Sequence, residues 1–539
     1  MAKQKPIVLI YSSFGLFPVL EYELDIAQTK LDEGCEVIFA FDSRYDPIYK
    51  YSYGMNHLSN FIKHYEMVSN FYNGISWLKE GDGRLILLDL KKVEKIIKKN
   101  IYQEIKKLNK LDALDIYNSK EYVVENMNIF DSAFSAIMTL EDVESYKPSK
   151  QKINKHLKKQ LKIGIKNIFI SNYILSEKKP NLVYLFNGRL PRYSPLIFIC
   201  KQGSIPFNVY EYPIYKDTNY LVTENYIPHD INIFSKDLFK TYKNSKVEES
   251  LKIKEGMDYV KSRVERTNIE FSSSWSRFQN KNETMNITVS NIITIFTSTE
   301  AEFASIKEVT DSRFYSSQKE PIKEILDFFD AANSGFNIYI RVHPNASQDN
   351  AHQEDMKSFE KEYKNLKVID PFSTIDTYQL IKDSNVIFTC GSTVSVEASY
   401  LMKEVYTIGT SVFKNFFPNS HIYSMEKLKD ILLKIKNNEE RDFNLNDGRI
   451  KSAAFYYAFM NIGSKPKYVK GLSYTSSILV RGGKETNIKP NYFFKLLSIF
   501  FEIPHRISLG LRAFQENKHL KESFLRSPLK TLLKFIFSR

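Results

Sequence analysis

Residues 6–42 read PIVLIYSSFGLFPVLEYELDIAQTKLDEGCEVIFAFD, and this stretch decides the fold. Positions 6–11 are a short apolar run with the length of a buried strand. A loop with Ser12, Ser13 and Gly15 follows, and then a helical pattern over 19–32. Glu33-Gly34-Cys35 ends that helix, and Glu36 to Asp42 is a second strand-like run. Strand, helix and strand in so few residues make a βαβ unit, which opens a parallel sheet. The first turn carries no GxGxxG, so a tightly bound dinucleotide is not indicated.

The alternation continues outward. Residues 84–90 read as a strand, 91–108 as a Lys-rich helix, 150–177 as a second basic helix, and 182–186 and 206–211 as further strands. Residues 255–285 are polar and contain Ser272-Ser273-Ser274, the composition of a linker. Beyond it, strands are expected at 292–297, 337–342, 366–369, 385–389 and 405–409. Helices are expected at 316–332, 353–364, 375–383 and 393–403. This is the pattern of a doubly wound α/β domain. The fold class expected is therefore α/β, with two Rossmann-like lobes. The boundaries read as a first lobe at 1–260, a linker at 261–285, a second lobe at 286–435, return helices at 436–485 and a basic amphipathic tail at 486–539.

Bulk properties narrow the function. A chain of 539 residues is too long for one ordinary domain. With 43% hydrophobic and 26% charged residues it is globular, not disordered. Cys35, Cys200 and Cys390 are not at metal-ligand or CxxC spacing, which argues against a disulfide framework and a cysteine zinc site. No metal is expected. No secretory signal and no run of about 20 apolar residues is visible, so a cytoplasmic location is expected. The net charge of +13 suits an anionic partner or simply a basic surface.

In doubly wound sheets ligands sit at the carboxyl ends of strands, so the residues just after each strand are the candidates. Arg341-Val342-His343-Pro344-Asn345 follows the 337–342 strand; Arg341, His343 and Asn345 offer several donors suited to a phosphate or pyrophosphate oxygen. The plain alternative is a strand end with a surface Arg and a structural His. Gly391-Ser392-Thr393 opens a helix, where free N–H groups and the hydroxyls of Ser392 and Thr393 make an anion site, and Glu397 one turn on is placed to accept from a ribose diol. An ordinary N-cap assisted by Glu397 is the alternative. Thr297-Ser298-Thr299-Glu300 is a third polar loop on the same expected edge. Three loops converging favours a site over three separate structural accidents. In the first lobe Asn187 and Arg189 are cleft or acceptor candidates. Glu211 and Asp230 are candidate general bases, with a surface or structural carboxylate as the alternative for each.

Taken together, several blocks resemble the capsule polysaccharide and lipopolysaccharide biosynthesis proteins, a family related to bacterial Kdo transferases. The matching pieces are Phe186-Asn187-Gly188-Arg189 with Glu211, Phe296-Thr297-Ser298-Thr299 with Glu302-Phe303, and Gln318. Further on come Arg341 to Asn345, Pro371 with Ile375-Asp376-Thr377-Tyr378, and Gly391-Ser392-Thr393 with Glu397-Ala398. They span about 182–410. The resemblance implies a GT-B glycosyltransferase whose two lobes face a cleft, with the nucleotide-sugar held by the second lobe and His343, Ser392 and Thr393 at the donor phosphate. It also implies metal-independent transfer to a glycan or lipid-linked glycan acceptor. The nucleotide-sugar, CMP- and UDP-linked forms being the candidates, is a substrate, so no cofactor is expected. Glycerol- or polyol-phosphate transfer of the teichoic-acid type, UDP-sugar 2-epimerase chemistry and a non-catalytic scaffold are the alternatives.

Residues 486–539 hold ten Lys or Arg and three acidic residues, interleaved with Tyr492-Phe493-Phe494, Phe500-Phe501 and Phe535-Ile536-Phe537. Cationic segments with apolar faces lie well on anionic membrane surfaces. The expectation is peripheral attachment to the inner face of a bacterial plasma membrane, with packing of a terminal helix on the body as the alternative. No nucleic-acid signature accompanies the charge. Removing 486–539 is expected to move the chain from the membrane to the soluble fraction in cell fractionation while the remaining lobes stay folded. Unchanged partitioning would reject the anchor.

Overall fold

A computed structural model of the chain describes residues 5–12, 19–43, 57–140, 149–213, 219–267, 279–284, 291–299, 309, 313–331, 335–344, 350–371, 373–441, 443–470 and 478–486. The chain divides into two compact units. One takes it up to His229 and takes it up again from Ile462; the other holds Asp230–Asn461.

The first unit is built on β1 (Ile7–Tyr11), β2 (Glu36–Phe41) and β3 (Arg84–Asp89). After the small hairpin of β4 (Val123–Val124) and β5 (Met127–Asn128), it adds β6 (Leu182–Phe186), β7 (Phe207–Pro213) and β8 (Tyr220–Glu224). The sheet order is β3-β2-β1-β6-β7-β8. All pairings are parallel except β7 with β8. The apolar runs are buried because helices cover the parallel sheet: Leu9, Ile10, Val37, Ile38, Val183, Leu185 and Val209 have no exposed surface. The helices Leu90–Lys110, Ala113–Ser119, Phe130–Leu140 and Lys150–Lys178 fill the long connection from β3 to β6.

The second unit repeats the plan with β9 (Ile292–Phe296), β10 (Asn337–Arg341), β11 (Leu366–Ile369), β12 (Val386–Thr389), β13 (Glu404–Ile408) and β14 (His421–Ile422). Its order is β11-β10-β9-β12-β13-β14, parallel throughout. Read in chain order both sheets run 3-2-1-4-5-6, the doubly wound arrangement whose order reverses between the first and fourth strands. The expected two Rossmann-like lobes are therefore present.

Three sequence-based boundaries need correction. First, the division between units falls at 229/230 and not at 260. The helices Ile231–Asn244 and Glu249–Val264 pack on Leu445–Asn461 within the second unit. Second, residues 261–285 do not act as a free linker where they are described. Asn280 N donates to Thr374 O at 2.8 Å, Asp376 N to Glu283 O at 3.1 Å, and Thr377 N to Gln279 Oε1 at 3.0 Å. Backbone polarity there is spent on the second unit, so the polar composition marks a docked segment. Third, residues 436–485 are not all return helices. Leu445–Asn461 is helical and stays in the second unit, whereas β15 (Val469–Lys470), β16 (Ile478–Arg481) and β17 (Lys484–Thr486) form an antiparallel sheet in the first. Val469 and Leu479 enter the first unit's core, and the Tyr468 N–H donates to Asp25 Oδ1. The tail from 487 onward lies outside the described residues.

The packing of Glu249–Val264 on Leu445–Asn461 depends on Gly256. A Cβ there would stand 1.9 Å from the Ala453 carbonyl oxygen, a backbone atom that cannot rotate away. Alanine ordinarily gains about 1 kcal/mol over glycine within a helix, but the clash forces the helices apart. Gly256→Ala is therefore expected to lower stability by about 1–3 kcal/mol in urea unfolding; a gain in stability would show that the two helices do not meet there.

Candidate functional site

The second sheet sets the geometry. β9 lies between β10 and β12, and Phe296 is in register with Arg341 on one side and Thr389 on the other. All three strands run the same way, so their carboxyl ends share one edge. Thr297 N donates to Arg341 O at 3.1 Å and Cys390 N to Phe296 O at 3.1 Å. The segments around 297, 343 and 391 thus meet on adjoining strands at the point where the order reverses.

Thr297 ties two of the segments together. Its Oγ1 accepts from the His343 backbone N–H at 3.0 Å and lies 3.3 Å from His352 Nε2. Thr299 Oγ1 lies 3.4 Å from His343 Nδ1. Ser298 is held by Gln318, whose Oε1 accepts from Ser298 N at 2.9 Å and whose Nε2 donates to the Ser298 carbonyl and hydroxyl. Gln318 has no exposed surface, so the loop after β9 is fixed from beneath. Burial pushes the His343 imidazole down to about 4, with His352 and Arg341 adding to the effect, and burial pushes His352 to about 4 as well. Both rings are neutral at pH 7. His343 can therefore engage a phosphate by hydrogen bonding, not as a cation.

The cation is Arg341. It is 3% exposed. Nη2 donates to the Ser373 carbonyl at 3.3 Å, while Nε and Nη1 are buried with no partner among the described residues. Burial lowers its pKa to about 10, which leaves it charged at pH 7. The carboxylates that oppose this shift, Asp370 and Asp376, are engaged elsewhere. Asp370 pairs with Lys357 at 3.0 Å. Asp376 pairs with Arg266 and caps the Thr377–Asp383 helix. A buried guanidinium with two donors unmet is costly, and it sits where an anion would satisfy it.

The third segment is more structural than its composition suggests. The helix after Thr393, Val394–Tyr400, has seven residues, so its dipole is small. Ser392 Oγ accepts from Val394 N at 3.4 Å, and the Thr393 side chain makes no cap bond. Thr389, Ser395 and Thr407 form a buried hydroxyl chain beneath. Glu397 is a correction to the ribose reading. It is 3% exposed, and its Oε1 accepts from Arg263 Nε and Nη2 at 3.0 and 2.8 Å and from the Tyr456 hydroxyl at 3.0 Å. Its carboxylate fastens the short helix to two neighbouring helices. Asn345, Glu300, Glu302 and Phe303 lie outside the described residues.

In the first unit, β1 and β6 flank the corresponding reversal of strand order. Asn187 follows β6 with φ 60°, and Gly188 continues the turn at φ 77°, where a Cβ would meet Ile197 and Ile227 at 2.6 and 2.7 Å. The turn aims Asn187 Nδ2 at Glu211 Oε1 on β7, while Asn187 Oδ1 accepts from Arg189 N at 3.1 Å. Three first-lobe candidates, Asn187, Arg189 and Glu211, are thereby brought together. Asp230 is not with them. It belongs to the second unit and caps the Ile231–Asn244 helix, accepting from Ile233 N at 3.1 Å, so the plain structural reading holds for it. Sequence reasoning missed Glu23, fully buried and bound by Ser12 Oγ at 2.6 Å and Tyr210 OH at 2.7 Å. It also missed His352 and Arg263. Each lies within a helix where periodicity signals only a face.

Residues 231–416 match the family of capsule polysaccharide biosynthesis proteins. That span lies within the second unit and contains Thr297, Ser298, Arg341, His343, Ser392, Thr393 and Glu397. Among solved structures the chain is similar to the KpsC beta Kdo 2,4 transferase of Thermosulfurimonas dismutans, at 13% identity and a TM-score of 0.34, covering 60% of this chain and 88% of that one. It is also similar to the beta Kdo 2,7 transferase of the same protein, at 12% identity and a TM-score of 0.32, with the same coverage. The UDP-GlcNAc 2-epimerase of Neisseria meningitidis bound to UDP-GlcNAc is 12% identical with a TM-score of 0.26, covering 86% and 97%. No curated protein sequence matches the chain.

The buried histidines give the site a pH signature. A histidine whose folded pKa is depressed takes up its proton in the unfolded state first, so stability falls as pH drops from about 6.5 towards 4. Thermal unfolding of the wild type is expected to weaken over that window. In His352→Gln the dependence should be shallower by roughly 1–3 kcal/mol at the acid end. An unchanged slope would mean His352 is not held neutral.

Proposed function

Starting from a chain that carries the capsule polysaccharide biosynthesis segment over residues 231–416, we propose that it is a glycosyltransferase of capsule assembly, with the nucleotide-sugar donor bound at the carboxyl edge of the second unit's sheet. The observation that carries this reading is Arg341, a buried cation with Nε and Nη1 unmet, beside a neutral His343 and the clamped Thr297–Thr299 loop. A phosphate oxygen of the donor supplies the acceptors Arg341 lacks.

The role follows from the chemistry of transfer. When the sugar leaves, negative charge grows on the departing phosphate oxygen. A fixed cation in a dry site stabilises that charge more than it stabilises the ground state. Arg341 has this position in the proposal, which therefore requires no metal. His343 adds a neutral hydrogen bond oriented by Thr299, and Ser392 and Thr393 are the hydroxyl donors at the next strand end. Glu211, oriented by Asn187, is the proposed general base for the acceptor hydroxyl, with Arg189 beside it as an acceptor-binding group. The acceptor is a glycan or lipid-linked glycan, and CMP- and UDP-sugars are the donor classes to test.

Thermal-shift measurements with CMP, UDP, GDP and CDP provide the test. One nucleotide is expected to raise the unfolding midpoint of the wild type. Arg341→Met should weaken its binding at least about a hundredfold, the cost of removing a charged hydrogen-bond partner, and His343→Ala by less. Arg341→Met should itself be no less stable than the wild type without nucleotide, because an unmet buried charge is removed. Stabilisation by no nucleotide would instead favour a scaffold.

A further inference from the structure

The helix Leu90–Lys110 of the first unit divides its charges by face. Leu90, Val93, Ile101 and Leu108 are buried. Its two acidic residues lie on that same inner side. Glu94 faces Lys166 at 3.9 Å, and Glu104 accepts from the Tyr122 hydroxyl at 3.1 Å and pairs with Lys107 at 2.8 Å. At 3.6 residues per turn, Lys92, Lys95, Lys99, Lys106 and Lys110 fall along the opposite crest, and all are exposed. None of these lysines has an ion pair among the described residues. Lys95 and Lys99, and Lys106 and Lys110, are spaced i,i+4, where like charges repel and weaken a helix. On the two shoulders of the crest stand Ile96 and Tyr102, 63% and 66% exposed.

We propose that this face docks on an anionic lipid bilayer. The lysine crest supplies attraction to acidic headgroups, which also relieves the repulsion within the crest. Ile96 and Tyr102 decide between a membrane and a soluble polyanion. A polyanionic chain gains nothing from an exposed isoleucine, whereas an interface buries it and holds a tyrosine ring at headgroup level. Among the described residues no helix is long and apolar enough to cross a membrane, so the helix lies along the surface. The inference stands apart from the transferase reading and from the tail.

Sedimentation of the full chain with vesicles tests it. One set is phosphatidylcholine alone and the other contains phosphatidylglycerol. The wild type is expected to sediment with the anionic vesicles only. The triple variant Lys92→Glu, Lys95→Glu, Lys99→Glu should reduce partitioning at least about tenfold, and the glutamine triple at the same positions should act in the same direction if the charge reversal disturbs folding. Ile96→Ser with Tyr102→Ser should weaken binding and leave the remainder sensitive to salt. Residues 486–539 are present in every sample, so the lysine face is read from the difference between wild type and variants at raised salt as well as low salt, and a triple variant with an unchanged melting midpoint that binds as the wild type does at both would overturn the proposal. So would a chain that ignores vesicles yet binds acidic polysaccharide or duplex DNA through these lysines.

Discussion

The pairing of β9 with β10 on one side and β12 on the other is the constraint on which the candidate site depends. Parallel strands in register end at the same height, so Phe296, Arg341 and Thr389 bring their following residues to one edge. Nothing in the loops themselves is needed to gather them. The loops then use the proximity: Thr297 receives the His343 N–H, and Gln318 fixes Ser298 from below. An edge prepared in this way needs little rearrangement to receive a ligand.

Against that rigid background Arg341 stands out energetically. Other arginines of the second unit are closed into pairs, such as Arg263 with Glu397 and Arg441 with Glu404. Arg341 is more buried than these, yet two of its nitrogens have no partner among the described residues, and the acids near it are committed to Lys357 and Arg266. In the proposed site these donors are left for an anion. The same contrast explains why Glu397, attractive in sequence as a ribose ligand, serves a different purpose: its acceptor capacity closes a structural pair.

Much of this was legible in the sequence, for a physical reason. Parallel strands buried on both faces are dominated by apolar residues, and runs such as 292–296 and 386–389 announce themselves. Pro344 after His343 and the hydroxyl run after Gly391 marked strand ends correctly. What stayed hidden depends on tertiary partners. Polar residues 279–283 looked like a linker because hydrogen bonds to Thr374 and Asp376 have no local signature. Asp230 looked like a general base because a helix cap and a base share a residue type. Glu23 and Arg263 lie in helices whose pattern cannot reveal that a charge faces inward. The return of the chain to the first unit was expected as helices, whereas it begins at Ile462 and is made by β15 to β17.

The most direct measurement is a crystal structure of the chain with the nucleotide that stabilises it. The account predicts a phosphate within hydrogen-bonding distance of Arg341 Nε or Nη1, with the Thr297–Thr299 loop unmoved. A nucleotide bound away from β9 and β10, or an Arg341 that turns to a carboxylate of its own chain, would contradict it.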